Sequence, residues 1–440
     1  MQNTFNSFNI LNQVQLDIET IANPFQFEME DLFVMGARVN PKRSFLFVSK
    51  LLGKHLEVHP DIPKLSGHLL SNLFAKKYGN QYFSNIHSLV EAVKTGNMTE
   101  KVKGELNKTH SLSEKVLFLG FAETATGIGH AVFSAFDNAH YVHTTREEFS
   151  DKKSVFDFQE EHSHATDHLC YLLDTEVLEE VSHIVLIDDE ITTGNTCLNL
   201  IRSLNELYPN KRYTIMSLLD WRTEQQEQNY ETFKQELNLE IDVLSLLRGS
   251  VELKNNTVFE KQALEESEID IEDVKGYRLI VHPMKDRVAV QRGLIERDSL
   301  LLTTGRFGVT SEQAKVIEKE AKKIGGYLQQ LRKGNKTLSI GNGEFMYVPS
   351  RISAYMGEGV AYKSSTRSPI YVAQEEGYPV HDRIEYELKN GVVNYLYNLK
   401  DSGFDEVFFF VENNMNQDTV ESIYKNIRSK GIEHITFVMV

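Results

Sequence analysis

The 440-residue chain has only two cysteines, Cys170 and Cys197, and nine prolines. Two thiols exclude a disulfide framework and a four-cysteine zinc site. So few prolines exclude a long proline-rich linker. No apolar run reaches the roughly 18 residues of a membrane span. The start, MQNTFNSFNILNQ, lacks the basic and apolar regions of a secretory leader. The expectation is a cytoplasmic protein with no membrane partner. Basic charge is also short, because 47 Lys and Arg face 63 Asp and Glu for a net charge of -16. Residues 1–250 hold 22 basic and 35 acidic side chains, and residues 251–440 hold 25 and 28. Neither half offers the basic face of a nucleic-acid footprint, so no nucleic-acid partner is expected.

What is present reads as globular. The chain is 41% hydrophobic and 25% charged, and at roughly 150 residues per domain it holds two or three domains. Short runs that are apolar on both faces fall at Phe45–Val48, Val116–Leu119, Tyr141–Thr144, Ile184–Ile187 and Tyr213–Leu218. Strands of a parallel sheet covered by helices read this way. Helical patterns lie between them at 65–77, 86–95, 128–136 and 195–207, which predicts a doubly wound α/β domain. The texture turns polar and acidic over 220–275, and the alternation then restarts. Thr310 and Ser311 can cap a helix to about Leu331. Strands are predicted at Leu338–Ile340, Val360–Tyr362, Val407–Val411 and Ile435–Val440, with helices near 349–356, 391–400 and 416–429. The expected division is one domain over 1–255 and a second α/β, Rossmann-like domain over 277–440.

The most informative segment is Val185-Leu-Ile-Asp-Asp-Glu-Ile-Thr-Thr-Gly-Asn-Thr196. An apolar strand ends in adjacent carboxylates, Asp188 and Asp189. A turn of small residues, Thr192, Thr193, Gly194, Asn195 and Thr196, then opens a helix. Backbone N–H groups of such a turn and the helix N-terminus form an anion cradle. Gly194 lets the backbone approach a phosphate, and the threonines add hydroxyl donors. The strand-end carboxylates can accept hydrogen bonds from ribose hydroxyls. No lysine follows the glycine as in a nucleoside-triphosphate loop, so a sugar 5-phosphate fits better.

This stretch resembles the 5-phosphoribosyl-1-diphosphate (PRPP) motif of type I phosphoribosyltransferases. The resemblance implies their parallel sheet flanked by helices, with ribose on Asp188 and Asp189 and the 5-phosphate on 192–196. It also implies Mg²⁺ near Asp188 and Asp189, a small-molecule acceptor, and a homodimer. The family needs a second loop, after its first strand, for pyrophosphate. Ser49, Lys50, Gly53 and Lys54 follow the run Phe45–Val48 and are assigned to it, although a solvated basic turn reads the same way. Arg38, Lys42 and Arg43 add a cationic cluster. The turn Gly120-Phe-Ala-Glu-Thr-Ala-Thr-Gly-Ile-Gly129 brings Glu123 and Thr124 to the same rim, for the acceptor or for packing. A mobile lid is implied over 144–168, with Arg146, Lys152 and Lys153 on the pyrophosphate side. Glu161, His162 or His164 would move an acceptor proton. His162, His164 and His168 leave open a metal-binding reading.

The C-terminal half has loops of its own. Gly341-Asn-Gly-Glu344 follows one predicted strand and Thr366-Arg-Ser-Pro369 follows the next. In a single right-handed βαβ unit both lie at one sheet edge, where ligands of open α/β sheets bind. Arg306, Gly341, Gly343, Glu344, Thr366, Arg367 and Ser368 are therefore candidates for a second, anionic ligand. With the Thr366-Arg-Ser-Pro369 tetrapeptide, the whole chain resembles the two-domain proteins with a C-terminal TRSP domain associated with tellurite-resistance and stress gene clusters. The resemblance implies synthesis of a nucleoside-like metabolite, alongside other enzymes of the cluster. The expected reaction is transfer of 5-phosphoribosyl from PRPP to a base-like acceptor with release of pyrophosphate. A PRPP- or nucleotide-sensing regulator, the reverse cleavage reaction and a scaffold are the alternatives.

Overall fold

The computed structural model describes residues 4–40, 42–79, 85–158, 168–262, 276–293, 296–388 and 391–440. The first sheet runs Thr4–Ile10, Val14–Ala22, Ile241–Asn255, Arg212–Asp220, His183–Ile187, His110–Gly120, Phe136–His143 and Val309–Thr310 from edge to edge. The five inner strands from Ile241–Asn255 to Phe136–His143 are parallel. The strands outside them are antiparallel to their neighbours. His183–Ile187 shows why the apolar reading works, since all five of its residues are buried. In chain order the five parallel strands stand 2-1-3-4-5 across the sheet, so the direction of winding reverses between the first and third. That switch point lies where Gly120 is in register with Ile187.

The second sheet is Arg278–Val281, His434–Met439, Glu406–Val411, Thr337–Gly341 and Val360–Ser364. All its pairings are parallel. Its winding reverses between Thr337–Gly341 and Glu406–Val411, at the ends of which stand Glu344 and Glu412. The strand of the first sheet that precedes the apparent boundary ends at Asn255, and the first strand of the second sheet begins at Arg278. Val309–Thr310 nevertheless crosses back to pair with His140 and Tyr141. The long helix Ser311–Gln329 follows at once, capped by Thr310, whose hydroxyl accepts from Gln313 N–H at 3.2 Å.

Two expectations are corrected. Phe45–Ser49 does not enter the parallel sheet; it pairs antiparallel with Phe33–Ala37. Its aromatic face is used elsewhere: Phe47 stacks on Trp221 at 4.7 Å and meets Phe33 edge-on at 4.9 Å. The helix expected over 391–400 is a strand, Val393–Tyr397, antiparallel to Arg383–Glu387. Its aromatic and branched residues suit a half-buried pleated surface, and a hairpin partner decides the outcome.

One helix lies at the centre of the molecule. All nine residues of Ala125–Phe133 are buried. The first sheet covers one side, where a methyl group on Gly129 would lie 3.1 Å from Gly120 Cα. The helix Ile62–Phe74 covers another, and a methyl group on Gly67 would lie 2.4 Å from Ala131 Cβ. Met346 of the second domain meets Gly127, where a methyl group would lie only 3.3 Å from Met346 Cβ. The stacked rings of His130 and Tyr347, 4.1 Å apart, extend this cross-domain contact.

Beside it, buried charges cross the same boundary. Arg351 Nη1 lies 2.7 Å from Asp61 Oδ1, and its Nε 2.8 Å from Glu318 Oε1. Lys64 Nζ is 2.9 Å from that same Glu318 oxygen. Burial pushes the Glu318 carboxyl up, but Arg351 and Lys64 outweigh it and hold it below its ordinary value. A carboxylate with a depressed folded pKa stabilises fully above its unfolded pKa of roughly 4.3, and that stability is lost as pH falls through the folded value. Arg351→Met strands the Asp61 carboxylate, leaves Glu318 to Lys64 alone, and is expected to cost about 3–5 kcal/mol at pH 7. Urea unfolding should also show that the Glu318 share of the penalty shrinks as pH falls below about 4.3, where that carboxyl begins to protonate in the unfolded chain. A pH-independent penalty would contradict the network.

Candidate active site

The strand His183–Ile187 delivers Asp188 and Asp189 to the first sheet's switch point. Both are half-buried. Asp189 N–H donates to Asp188 Oδ1 at 2.9 Å, which fixes one carboxylate oxygen along the turn. The next residue, Glu190, pairs with Arg43 at 2.6 Å. Burial, opposed by Arg43, raises the Glu190 carboxyl above its ordinary value. Arg43 also lies over the Phe45 ring at 4.6 Å. The cation expected on a ligand is thus engaged by the protein itself.

The turn after the strand has the expected shape. Gly194 caps the helix Asn195–Leu207 with φ of +76°, and Thr193 Oγ1 accepts from Asn195 N–H at 3.3 Å. Thr192 is exposed, while Thr193, Asn195 and Thr196 are half-buried. The first-turn amides of such a helix have no intrahelical acceptor, which is what suits a helix N-terminus to an anion. Behind the turn, Tyr230 Oη donates to Gly194 O at 2.8 Å.

Across the switch point, the loop Phe121–Thr124 follows Gly120. Phe121 N–H donates to Ile187 O at 3.0 Å, so the loop begins against the Asp188 strand. Ala122 N–H donates to Thr144 Oγ1 at 2.8 Å. The peptide bond Ala122–Glu123 is cis. Thr124 closes the loop at the N-terminus of the central helix. The order of strands therefore places 121–126, and not 49–55, directly opposite Asp188 and Asp189. Of the latter segment, Lys54 alone reaches this loop: it donates to Thr124 Oγ1 and lies 3.6 Å from Glu123 Oε2. Lys50 is exposed and donates to Glu30 O at 2.6 Å. Ser49 Oγ accepts from Leu51 N–H, and Gly53, at φ of +62°, packs on Tyr362. Arg38 joins the second domain through its backbone, in a bridge to Ile370.

The root of the expected lid continues the wall. Thr144 Oγ1 lies 2.9 Å from His168 Nδ1, and Arg146 Nη2 lies 3.3 Å from His168 Nε2. His168 is buried and acts as a support for Arg146. Glu161, His162 and His164 lie outside the described residues. Among the described residues no cluster of three or more His, Cys, Asp and Glu side chains could hold a metal.

The second domain supplies the opposite wall. Glu344 follows Gly341 and Gly343 at the second sheet's own switch point. Its Oε2 accepts from Thr145 Oγ1 at 2.6 Å and its Oε1 from Arg146 N–H at 3.0 Å. Its carbonyl accepts from Thr126 Oγ1 at 3.1 Å. Arg306 is fully buried between Glu412, at 3.0 Å, and Glu344, at 3.6 Å. It is a structural cation and not a vacant one. Glu412 Oε1 also accepts from Leu301 N–H at 2.7 Å. Gly343 N–H donates to Ser365 Oγ at 2.8 Å. Thr366 and Arg367 face Glu123, and Ser368 N–H closes a small turn on Thr366 Oγ1 at 3.1 Å. The two crevices therefore open on one another.

Residues 32–250 match the family model described as phosphoribosyl transferase. Residues 303–427 match the TRSP domain that lies C-terminal to it. The chain belongs to the phosphoribosyltransferases that carry a TRSP domain. Solved structures similar to the transferase half include adenine phosphoribosyl transferase from Trypanosoma brucei, in complex with AMP, pyrophosphate and ribose-5-phosphate. It is 12% identical, covers 55% of this chain and 86% of its own, and has a TM-score of 0.32. Orotate phosphoribosyltransferase from Mycobacterium tuberculosis H37Rv, in complex with inorganic phosphate, is 13% identical over 50% of this chain and 90% of its own, with a TM-score of 0.24. No curated protein matches the chain. No described helix is long and apolar enough to cross a membrane.

Glu147 and Arg292, which pair at 2.5 Å, and Glu412 escaped the sequence reading. Glu412 carried a usable signal, since it follows the apolar strand Glu406–Val411 as Asp188 follows His183–Ile187. The turn at Gly194 gives a direct test. A methyl group there would lie 2.2 Å from Tyr230 Oη, on a backbone with positive φ. Gly194→Ala is expected to cost about 1–3 kcal/mol in urea unfolding. Adding Tyr230→Phe should recover part of that cost, and strictly additive losses would contradict the contact.

Proposed function

We propose that the protein transfers 5-phosphoribosyl from PRPP to a small, base-like acceptor and releases pyrophosphate. The observation that carries this reading is the switch point, where paired carboxylates, a glycine-capped helix N-terminus and a second helix-opening loop surround one crevice. Asp188 and Asp189 hold the ribose hydroxyls. The turn 192–196 receives the 5-phosphate on backbone N–H groups and hydroxyls. The loop 121–126, with Lys54 behind it, and Arg146 face the diphosphate. As the C1–oxygen bond to the diphosphate breaks, the ribose gains positive charge and the leaving group gains negative charge. Fixed amides and cations oppose the latter without reorganising. The electron pair leaves with the diphosphate, and the acceptor nitrogen bonds to C1 and gives up its proton. Glu161, His162 and His164 remain the candidates for that proton.

Mg²⁺ fits this donor set. Two adjacent half-buried carboxylates, outside any cluster of three or more His, Cys, Asp or Glu among the described residues, suit an ion that is shared with substrate phosphates and water. Asp188 and Asp189 would hold it, and bound there it would neutralise diphosphate charge. Supply of product for a nucleoside-like metabolite, and a homodimeric state, belong to the same proposal.

The test is pyrophosphate release from PRPP and Mg²⁺ in the presence of a metabolite extract, with mass spectrometry of the ribosylated product. Asp188→Asn/Asp189→Asn is expected to lower the rate by about 100-fold or more. A double variant as fast as the wild type would remove the assignment. Binding of PRPP with no turnover of any acceptor would favour a sensor.

A further inference from the structure

Glu123 is the point at which the two crevices touch. Its Oε2 lies 3.3 Å from Arg367 N, 3.4 Å from Thr366 Oγ1 and 3.6 Å from Lys54 Nζ. Its Oε1 is buried and has no hydrogen-bond partner among the described residues. The side chain is 8% exposed. A carboxylate oxygen buried that deeply without a partner marks a place where a hydrogen-bond donor or a cation of the ligand belongs.

Arg367 stands beside it. Its backbone is pinned to Glu123, and its side chain is half-buried. Every other arginine at this seam is engaged. Arg306 binds Glu412, Arg146 lies against His168, and Arg292 pairs with Glu147 at 2.5 Å. The Arg367 guanidinium makes no hydrogen bond or ion pair among the described residues. It is nonetheless close enough to Glu147 to help hold that carboxyl below its ordinary value against burial, together with Arg306 and Arg292.

Position tells which part of a ligand it would meet. The 5-phosphate cradle at 192–196 and the ribose carboxylates follow the strand His183–Ile187. A ligand anchored there and laid across the switch point ends at the loop 121–124, which is the loop that seats Arg367. We propose that Arg367 is a binding residue of the transferase site, supplied by the TRSP domain to hold the diphosphate of PRPP. The inference rests on the transferase reading above and adds that the site is incomplete without the second domain. A guanidinium suits the task because its planar fork meets two phosphate oxygens at once. Lys54 offsets the Glu123 carboxylate that would otherwise repel the diphosphate.

The experiment is calorimetry on the full chain with Mg²⁺, titrating PRPP and, separately, ribose 5-phosphate. Wild type is expected to bind both. Arg367→Gln should weaken PRPP at least tenfold and leave ribose 5-phosphate within twofold, and Arg367→Lys should fall between. A thermal melt checks that the variants remain folded, and the lysine variant carries the test if the glutamine variant does not. If wild type binds neither ligand, the transferase reading itself falls. If wild type binds PRPP and Arg367→Gln binds it equally well, only the present inference falls. An equal loss for both ligands would also overturn it, because it would mean that Arg367 acts on the fold and not on the diphosphate.

Discussion

The helix Ala125–Phe133 has no solvent face, and the rest of the architecture follows from covering it. A helix buried on all sides must meet neighbours at backbone distance in several directions. Glycines make this possible. Gly67 lets the helix Ile62–Phe74 lie against Ala131, Gly120 and Gly129 close the contact with the first sheet, and Gly127 admits Met346. The same helix carries Thr124 and Thr126 at its N-terminus. The packing that unites the domains therefore also sets the position of the loop facing Asp188. A shift of the second domain would be felt in the transferase crevice, because no compliant layer separates them.

The seam is costly to build. Arg306, Arg351 and Lys64 are nearly inaccessible, and each lost its water to reach its place. Desolvation on that scale is recovered only when geometry is good and every partner is present. Here the partners come from both domains: Asp61 and Lys64 from one, Glu318 and Arg351 from the other. The Glu412–Arg306–Glu344 chain ends on Thr145 and Arg146, at the root of the segment expected to close over the site. Losing one partner from such a set costs more than the set gains over apolar packing, because it leaves a charge buried and unpaired.

Legibility followed sequence distance. The segment 185–196 could be read because its strand, carboxylates, glycine and helix are neighbours in the chain and each has one strong local cause. The alternation of strands and helices was likewise local. The diphosphate loop could not be read in the same way. Ser49–Lys54 has suitable chemistry, yet Phe45–Ser49 spends its aromatic face on Trp221, some 170 residues away in the chain, and so never joins the sheet. The loop 121–126 stands opposite Asp188 by strand order, which pairing between distant segments decides. Residues 391–400 misled for a related reason, because a hairpin partner outweighed a short helical pattern. Arg306 read as a free cation because its two carboxylates lie 38 and 106 residues further on.

The strand Val309–Thr310 has just two residues, and among the described residues it is the only part of the first sheet that comes from beyond Asn255. They lie on the outer edge of Phe136–His143, just before the chain turns into the long helix of the second half. Without them, that strand would present a bare row of amides and carbonyls, the kind of margin on which other chains nucleate. The acceptor of the first domain's edge is thus encoded in the second. In evolutionary terms the two halves are not modules that recombination can trade one for another, because a gene cut at the apparent boundary would leave one product with an unfinished border.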